Sequence, residues 1–137
     1  MGRFSVELEV TNNEDAVRAR AGDIPASAVR RGRLCGVVDT GANRLVLPST
    51  VVAQLGLPEG GLVAVKFTDG RRGTRKVAGN VLVEILGRSS VFTAVVEPGR
   101  TDALIGAIVL EELDLIPDPG RLALVPRDPK SIFAEIE

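Results

Sequence analysis

No apolar stretch of this chain runs far before a glycine, a proline or an Asp-Gly pair interrupts it, and that spacing limits what it can fold into. Phe4, Val6, Leu8 and Val10 alternate with Ser5, Glu7, Glu9 and Thr11, the period of a half-buried strand. Asn12-Asn13-Glu14-Asp15 reads as a turn, and residues 16–32, with Gly22, Pro25 and several arginines, as an irregular loop with at most a short strand. Residues 33–38 form an apolar strand that ends on Asp39. Leu45–Leu47 is a further short strand, and Ser49 is placed to cap a helix through Leu55 that Gly56 ends. Leu62–Phe67 and Val77–Leu86 read as strands around an Asp69-Gly70 turn, followed by Ser90–Val96, Ala103–Ile105, a helix through Leu113 and a last strand at Leu122–Val125. Seven or eight short strands, closely spaced turns and two short helices predict a mostly β barrel or sandwich. No linker divides the 137 residues, so 1–137 is expected to be a single domain.

Composition then removes function classes. Formal net charge is −1, and the chain has four Phe but no Tyr or Trp, so it lacks the basic excess and the stacking aromatics of a nucleic-acid binder. Arg30-Arg31-Gly32-Arg33 and Arg71-Arg72 read as solvated loop residues. The charged, alternating N-terminal stretch does not look like a signal peptide, and no apolar run approaches the roughly 20 residues that span a bilayer. A cytoplasmic location is the resulting expectation. The lone Cys35, inside Leu34-Cys35-Gly36-Val37-Val38, cannot form an internal disulfide and reads as a small core residue. The chain contains no histidine. This excludes Ser-His-Asp and Cys-His catalysis and the usual zinc ligand sets, leaving carboxylates or lysine for any acid–base chemistry.

Asp39-Thr40-Gly41 is the candidate site. A carboxylate delivered by a buried apolar strand is unexpected, because an unpaired aspartate is costly to bury. Gly41 permits a close backbone turn, and Thr40 carries a hydroxyl able to tie loops together. By itself the tripeptide also reads as a turn that closes a strand. A weak internal repeat adds to it: Val38-Asp39-Thr40-Gly41-Ala42 and Ala103-Leu104-Ile105-Gly106-Ala107 each join an apolar strand to a Gly-Ala step and then a helix. The second copy carries Leu104 where the first has Asp39.

The run Val37-Val38-Asp39-Thr40-Gly41-Ala42-Asn43, then Leu45-Val46-Leu47-Pro48, resembles the active-site segment of retroviral-type aspartic peptidases, especially the small prokaryotic ones. Leu104-Ile105-Gly106 before a helix resembles that family's second signature, and Phe67–Val77 falls where it carries a flap hairpin. The match in order covers residues 33–125. The resemblance implies a closed, barrel-like retropepsin (acid protease) fold with one or two short helices. It further implies a homodimer in which Asp39 and its symmetry mate share one proton and activate water against a peptide bond, with no metal or cofactor. Thr40 and Gly41 complete the catalytic loop in that scheme. Ala42, Asn43, Asp69, Gly70, Ile105 and Gly106 are the candidate substrate-binding positions.

Three departures stand out. Asn43-Arg44 stand where retroviral enzymes have two carboxylates, Ala107 stands where they have the arginine that pairs with one of them, and the hairpin tip Asp69–Gly73 is polar and basic. The rival reading is therefore a catalytically weak or inactive dimeric peptide-binding module that keeps the fold. Nucleic-acid and membrane partners are not expected.

Overall fold

The computed structural model describes residues 3–137; Met1 and Gly2, the start of the N-terminal stretch considered above, lie outside the described residues. The elements run in the order β1 (Phe4–Asn12), α1 (Asn13–Arg20), a 3₁₀ turn (Ala26–Ala28), β2 (Arg31–Val38), β3 (Leu45–Pro48), α2 (Ser49–Gln54), β4 (Glu59–Lys66), β5 (Arg72–Ile85), β6 (Arg88–Glu97), β7 (Ala103–Ile105), α3 (Ala107–Leu113), β8 (Leu115–Asp118) and β9 (Ala123–Pro126). Seven strands form one sheet in the order β1-β2-β7-β3-β6-β5-β4, and a second contact between β1 and β5 closes six of them into a barrel. Closure uses the far half of β1: Glu9 to Asn12 pair with Glu84 to Val81, while Phe4 to Thr11 pair with Val38 to Arg31. β8 and β9 form a separate antiparallel pair. This is the mostly β, closed architecture expected.

The alternation explains the core. Phe4, Leu8 and Val10 of β1 are buried, as are Val81, Val83 and Ile85 of β5, Leu45 and Leu47 of β3, and Ala94 and Val96 of β6. α3 plugs one end with Val109, Leu110 and Leu113, leaving Glu111 and Glu112 in solvent. Each such aliphatic side chain contributes roughly 1.5–3 kcal/mol on burial.

Several local expectations are overturned. The reading of Asn12–Asp15 as a turn and of residues 16–32 as an irregular loop holds only for residues 21–30: α1 starts at Asn13, because Asn12 caps it by accepting the Asp15 N–H (3.1 Å), and runs to Arg20. Acidic Glu14 and Asp15 in its first turn and basic Arg18 and Arg20 in its last complement the helix dipole. The low apolar content of this helix hid its period. Arg30 is no free loop cation either. It grips the buried Asp15 through Nε (2.8 Å) and NH2 (3.1 Å), and Arg31 and Arg33 belong to β2. Ser49 does not cap α2, whose N-cap is Pro48 without a side-chain bond. Cys35 points out of the barrel and is exposed, since Gly36 and Val38 take the buried positions of β2. β8 was not anticipated, Leu122 precedes rather than starts the last strand, and the described residues hold three α-helices instead of two.

Asp114 holds the end of the fold together. It ends α3 in the left-handed conformation (φ 57°) and is buried. Its carboxylate accepts Arg127 Nε (2.6 Å) and the Phe133 N–H (3.2 Å), fastening the C-terminal segment to the helix. Arg88 completes the clamp, donating to the carbonyls of Leu113 (3.1 Å), Asp114 (2.9 Å) and Ser131 (3.2 Å), and also to that of Asp128.

The Arg127 hydrogen bond, then the Phe133 N–H, hold the Asp114 carboxyl below its ordinary value of 3.8. A depressed folded-state value contributes stability above the unfolded-state value and loses it as pH falls through the folded one. Asp114→Asn is therefore expected to lower the melting temperature at neutral pH. The gap to wild type should narrow as pH drops below 3.8, which thermal melts at a series of pH values will read.

Candidate active site

The site is built where β2 and β7 run side by side. They pair in parallel, Gly36 with Ala103, Val37 with Leu104 and Val38 with Ile105, and β3 joins the other side of β7 through Leu45–Ile105 and Val46–Leu104. The two halves of the weak sequence repeat thus become neighbouring strands. Gly36 leaves room for the core side chains beside it: a Cβ there would lie 2.6 Å from Ile105 Cδ1 and 2.8 Å from Leu8 Cδ2.

The loop after β2 is stitched to the loop after β7 by main chain. Asp39 N–H donates to the Ile105 carbonyl (3.1 Å), Ala107 N–H to Ala42 (2.9 Å) and Ile108 N–H to Asn43 (3.1 Å). Gly106 lies under this crossing, where a Cβ would sit 2.6 Å from Arg44 N and 2.8 Å from the Asn43 carbonyl carbon. Both contacts are to backbone, which cannot rotate away. Gly106 therefore sets the approach of the two loops rather than a turn geometry.

Within the loop, Asp39 folds back on itself. Its Oδ1 accepts the Gly41 N–H (3.0 Å), and its main-chain carbonyl accepts the Ala42 N–H (3.1 Å). Its side chain stays 17% exposed, and Oδ2 meets the guanidinium of Arg3 at 2.9 Å. Thr40 and Gly41 are exposed, Ala42 is half-buried and Asn43 is exposed. Thr40 lines a cavity of about 450 Å³ with Ala107, Leu110, Ile116 and Phe133, and Asn43 and Arg44 line another of about 600 Å³ against β6 and α3. Asp39 lines neither. Among the described residues no three His, Cys, Asp or Glu side chains come together as a metal site would need.

The remaining candidate positions divide. Ile105 and Gly106 join the Asp39 loop, Ile105 through its carbonyl, because its side chain is fully buried in the core. Asp69 and Gly70 do not. They sit on the turn between β4 and β5, where Phe67 N–H donates to the Arg71 carbonyl (2.8 Å) and Gly70, at φ +87°, donates to Phe67 (2.9 Å). Asp69 is occupied with Arg71, which donates through its N–H (3.0 Å) and Nε (2.6 Å). The first of these bonds, then the second, holds the Asp69 carboxyl below its usual range. Behind the turn, the Arg71 and Arg75 guanidiniums each lie 5.1 Å from the centroid of the half-buried Phe67 ring. Arg75 is fixed in turn by both carboxylate oxygens of Glu97 (2.8 and 3.1 Å). The hairpin's polar tip is thus backed by a cation–aromatic stack.

Sequence reasoning passed over Arg3. No local pattern marked it: only the register of the folded ladder, which pairs Phe4 with Val38, makes Arg3 the next residue opposite Asp39.

Gly106→Ala is expected to destabilise the protein by about 1–3 kcal/mol, because two backbones must part. Gly32→Ala, with open space around it and an ordinary φ, is expected to stay within about 0.5 kcal/mol of wild type. Denaturant melts of the pair measure the difference.

No family model matches the chain, and no curated protein matches it in sequence. Among solved structures it is similar to EIAV protease complexed with the inhibitor HBY-793, at 16% identity over 82% of this chain and 88% of that chain, with a TM-score of 0.55. At that identity the likeness is one of fold: the closed, mostly β barrel matches a retropepsin-like fold.

Proposed function

We propose that this chain is one half of a homodimeric aspartic endopeptidase, its site completed by Asp39 of the partner subunit. The observation that carries the reading is the state of Asp39. It stands at an open loop end, with Oδ1 aligned by the Gly41 N–H, and the neighbouring strand β7 offers Leu104, not a second aspartate. A single chain thus has half of a dyad. A two-fold axis beside the loop supplies the rest, since an isologous contact brings a residue near its own copy.

Two carboxylates in contact share one proton, because like charges that close resist joint ionisation. The ionised Asp39 takes a proton from water as its oxygen attacks the scissile carbonyl carbon. The protonated one gives its proton to the carbonyl oxygen, forming a gem-diol. On collapse the carboxyl that took the water's proton gives it to the leaving nitrogen as the C–N bond breaks, and the other carboxylate takes a gem-diol hydroxyl proton as the new carboxyl forms, which restores the dyad with one proton. Thr40, exposed beside Asp39, bonds across the interface. Gly41, Ala42 and Asn43 present main chain to the peptide, and Ile105 and Gly106 hold the loop in place. The β4–β5 hairpin covers the bound peptide with Asp69 and Gly70 at its tip. No metal or cofactor takes part. The first half of β1, Phe4 to Leu8, pairs only with β2, and β8–β9, though packed on the core through Leu115 and Leu124, is hydrogen-bonded to no other described strand; both leave strand edges for a second copy.

The rival reading, a dimeric peptide-binding module with little or no activity, draws on the polar hairpin tip and on the Arg3 contact at Asp39 Oδ2. Hydrolysis of a diverse peptide library against pH separates the two. The peptidase reading predicts a bell-shaped profile with its maximum on the acid side of neutrality, its limbs belonging to the pair and not to either residue. Asp39→Asn should remain folded and lose activity, and excess Asp39→Asn subunits mixed with wild type should depress activity beyond dilution. Full activity in Asp39→Asn, or a rate that only rises through alkaline pH, contradicts it.

A further inference from the structure

We propose that Arg3 caps Asp39 in the substrate-free protein and selects substrates that carry a carboxylate beside the cleaved bond, an inference that rests on the peptidase reading. The cap follows from strand register. In the β1–β2 ladder Phe4 opposes Val38, so Arg3 opposes Asp39, and directly opposed residues of an antiparallel pair project from the same face. Phe4 and Val38 are the buried pair, which sends Arg3 and Asp39 to the other side. The result is an ion pair of 2.9 Å on Oδ2, the oxygen that the Gly41 N–H leaves free.

That oxygen is the one left for a catalytic water to reach. The guanidinium occupies it, and Asp39 has no other described ion-pair partner. Arg3 is itself 59% exposed and pairs with no other described carboxylate, so once displaced it stands at the mouth of the site as a cation without a counter-charge. A neutral peptide breaks the pair without compensation. A peptide with a glutamate or aspartate near the scissile bond exchanges one carboxylate partner of Arg3 for another and frees Asp39 in the same step. Arg3 is thereby a specificity-determining residue that acts through release of Asp39.

The test compares two peptides, identical except for Glu or Gln flanking the cleaved bond, with wild type, Arg3→Gln and, as a remote control, Arg18→Gln. Protein is held at concentrations where specific activity no longer rises. Wild type and Arg18→Gln should cleave the Glu peptide about two- to five-fold faster in kcat/KM, the range an exposed ion pair supplies. Arg3→Gln should lose that preference and cleave the Gln peptide faster than wild type does. A preference that survives in Arg3→Gln, or a Gln peptide cleaved no faster by it, overturns the proposal. If none of the three proteins cleaves any peptide, the peptidase reading fails and the selectivity fails with it. The cap is then judged separately by NMR of the Arg3 side-chain Nε. A shift between wild type and Asp39→Asn supports the cap, and identical spectra refute it.

Discussion

The parallel pairing of β2 with β7 is the constraint on which the rest depends. Parallel neighbours cannot be joined by a hairpin, so the chain leaves β2 at Asp39, travels through β3, α2, the β4–β5 hairpin and β6, and returns as β7. Everything between Asp39 and Ala103 is the crossover that this one pairing demands. Its end is fixed by three main-chain bonds and by a glycine with no room for a side chain. The position of Asp39 is thus set by backbone, independently of what its carboxylate contacts.

Three of the ion-paired aspartates, Asp15, Asp39 and Asp114, show two uses of the same side chain. Asp15 and Asp114 are buried and saturated, by Arg30 with Asn12 nearby and by Arg127 with the Phe133 N–H. Their carboxyls are held low by those hydrogen bonds, and each welds a connecting segment to a helix: Arg30 to α1, the C-terminal segment to α3. Removing one partner leaves a buried charge uncompensated, so these pairs specify structure. Asp39 is different. It keeps one oxygen for its own loop and presents the other at the surface, where the Arg3 contact is exchangeable. Burial and partner geometry separate the carboxylates that hold the fold from the one proposed for chemistry.

Much of this was legible in the residues. Alternation gave β1, the apolar run before Asp39 gave β2, and Asp69-Gly70 marked the hairpin, because these features depend on contacts close in sequence or on one buried face. What escaped depended on distant partners. α1 has almost no apolar face and is held by its cap and by Arg30, a residue 15 positions from Asp15. Cys35 looked internal within an apolar run, but the strand's period puts Gly36 and Val38 inside and turns the thiol outward. The buried side chain of Ile105 and the contact of Arg3 with Asp39 are likewise consequences of register between strands, which no local pattern states.

The central claim is that chemistry requires two chains, each giving Asp39. The direct measurement is peptide-cleaving activity as a function of protein concentration, with the association state followed by sedimentation on the same samples. The account predicts that specific activity falls as the dimer dissociates and tracks the dimer fraction. Constant specific activity in samples that sediment entirely as monomer would contradict it.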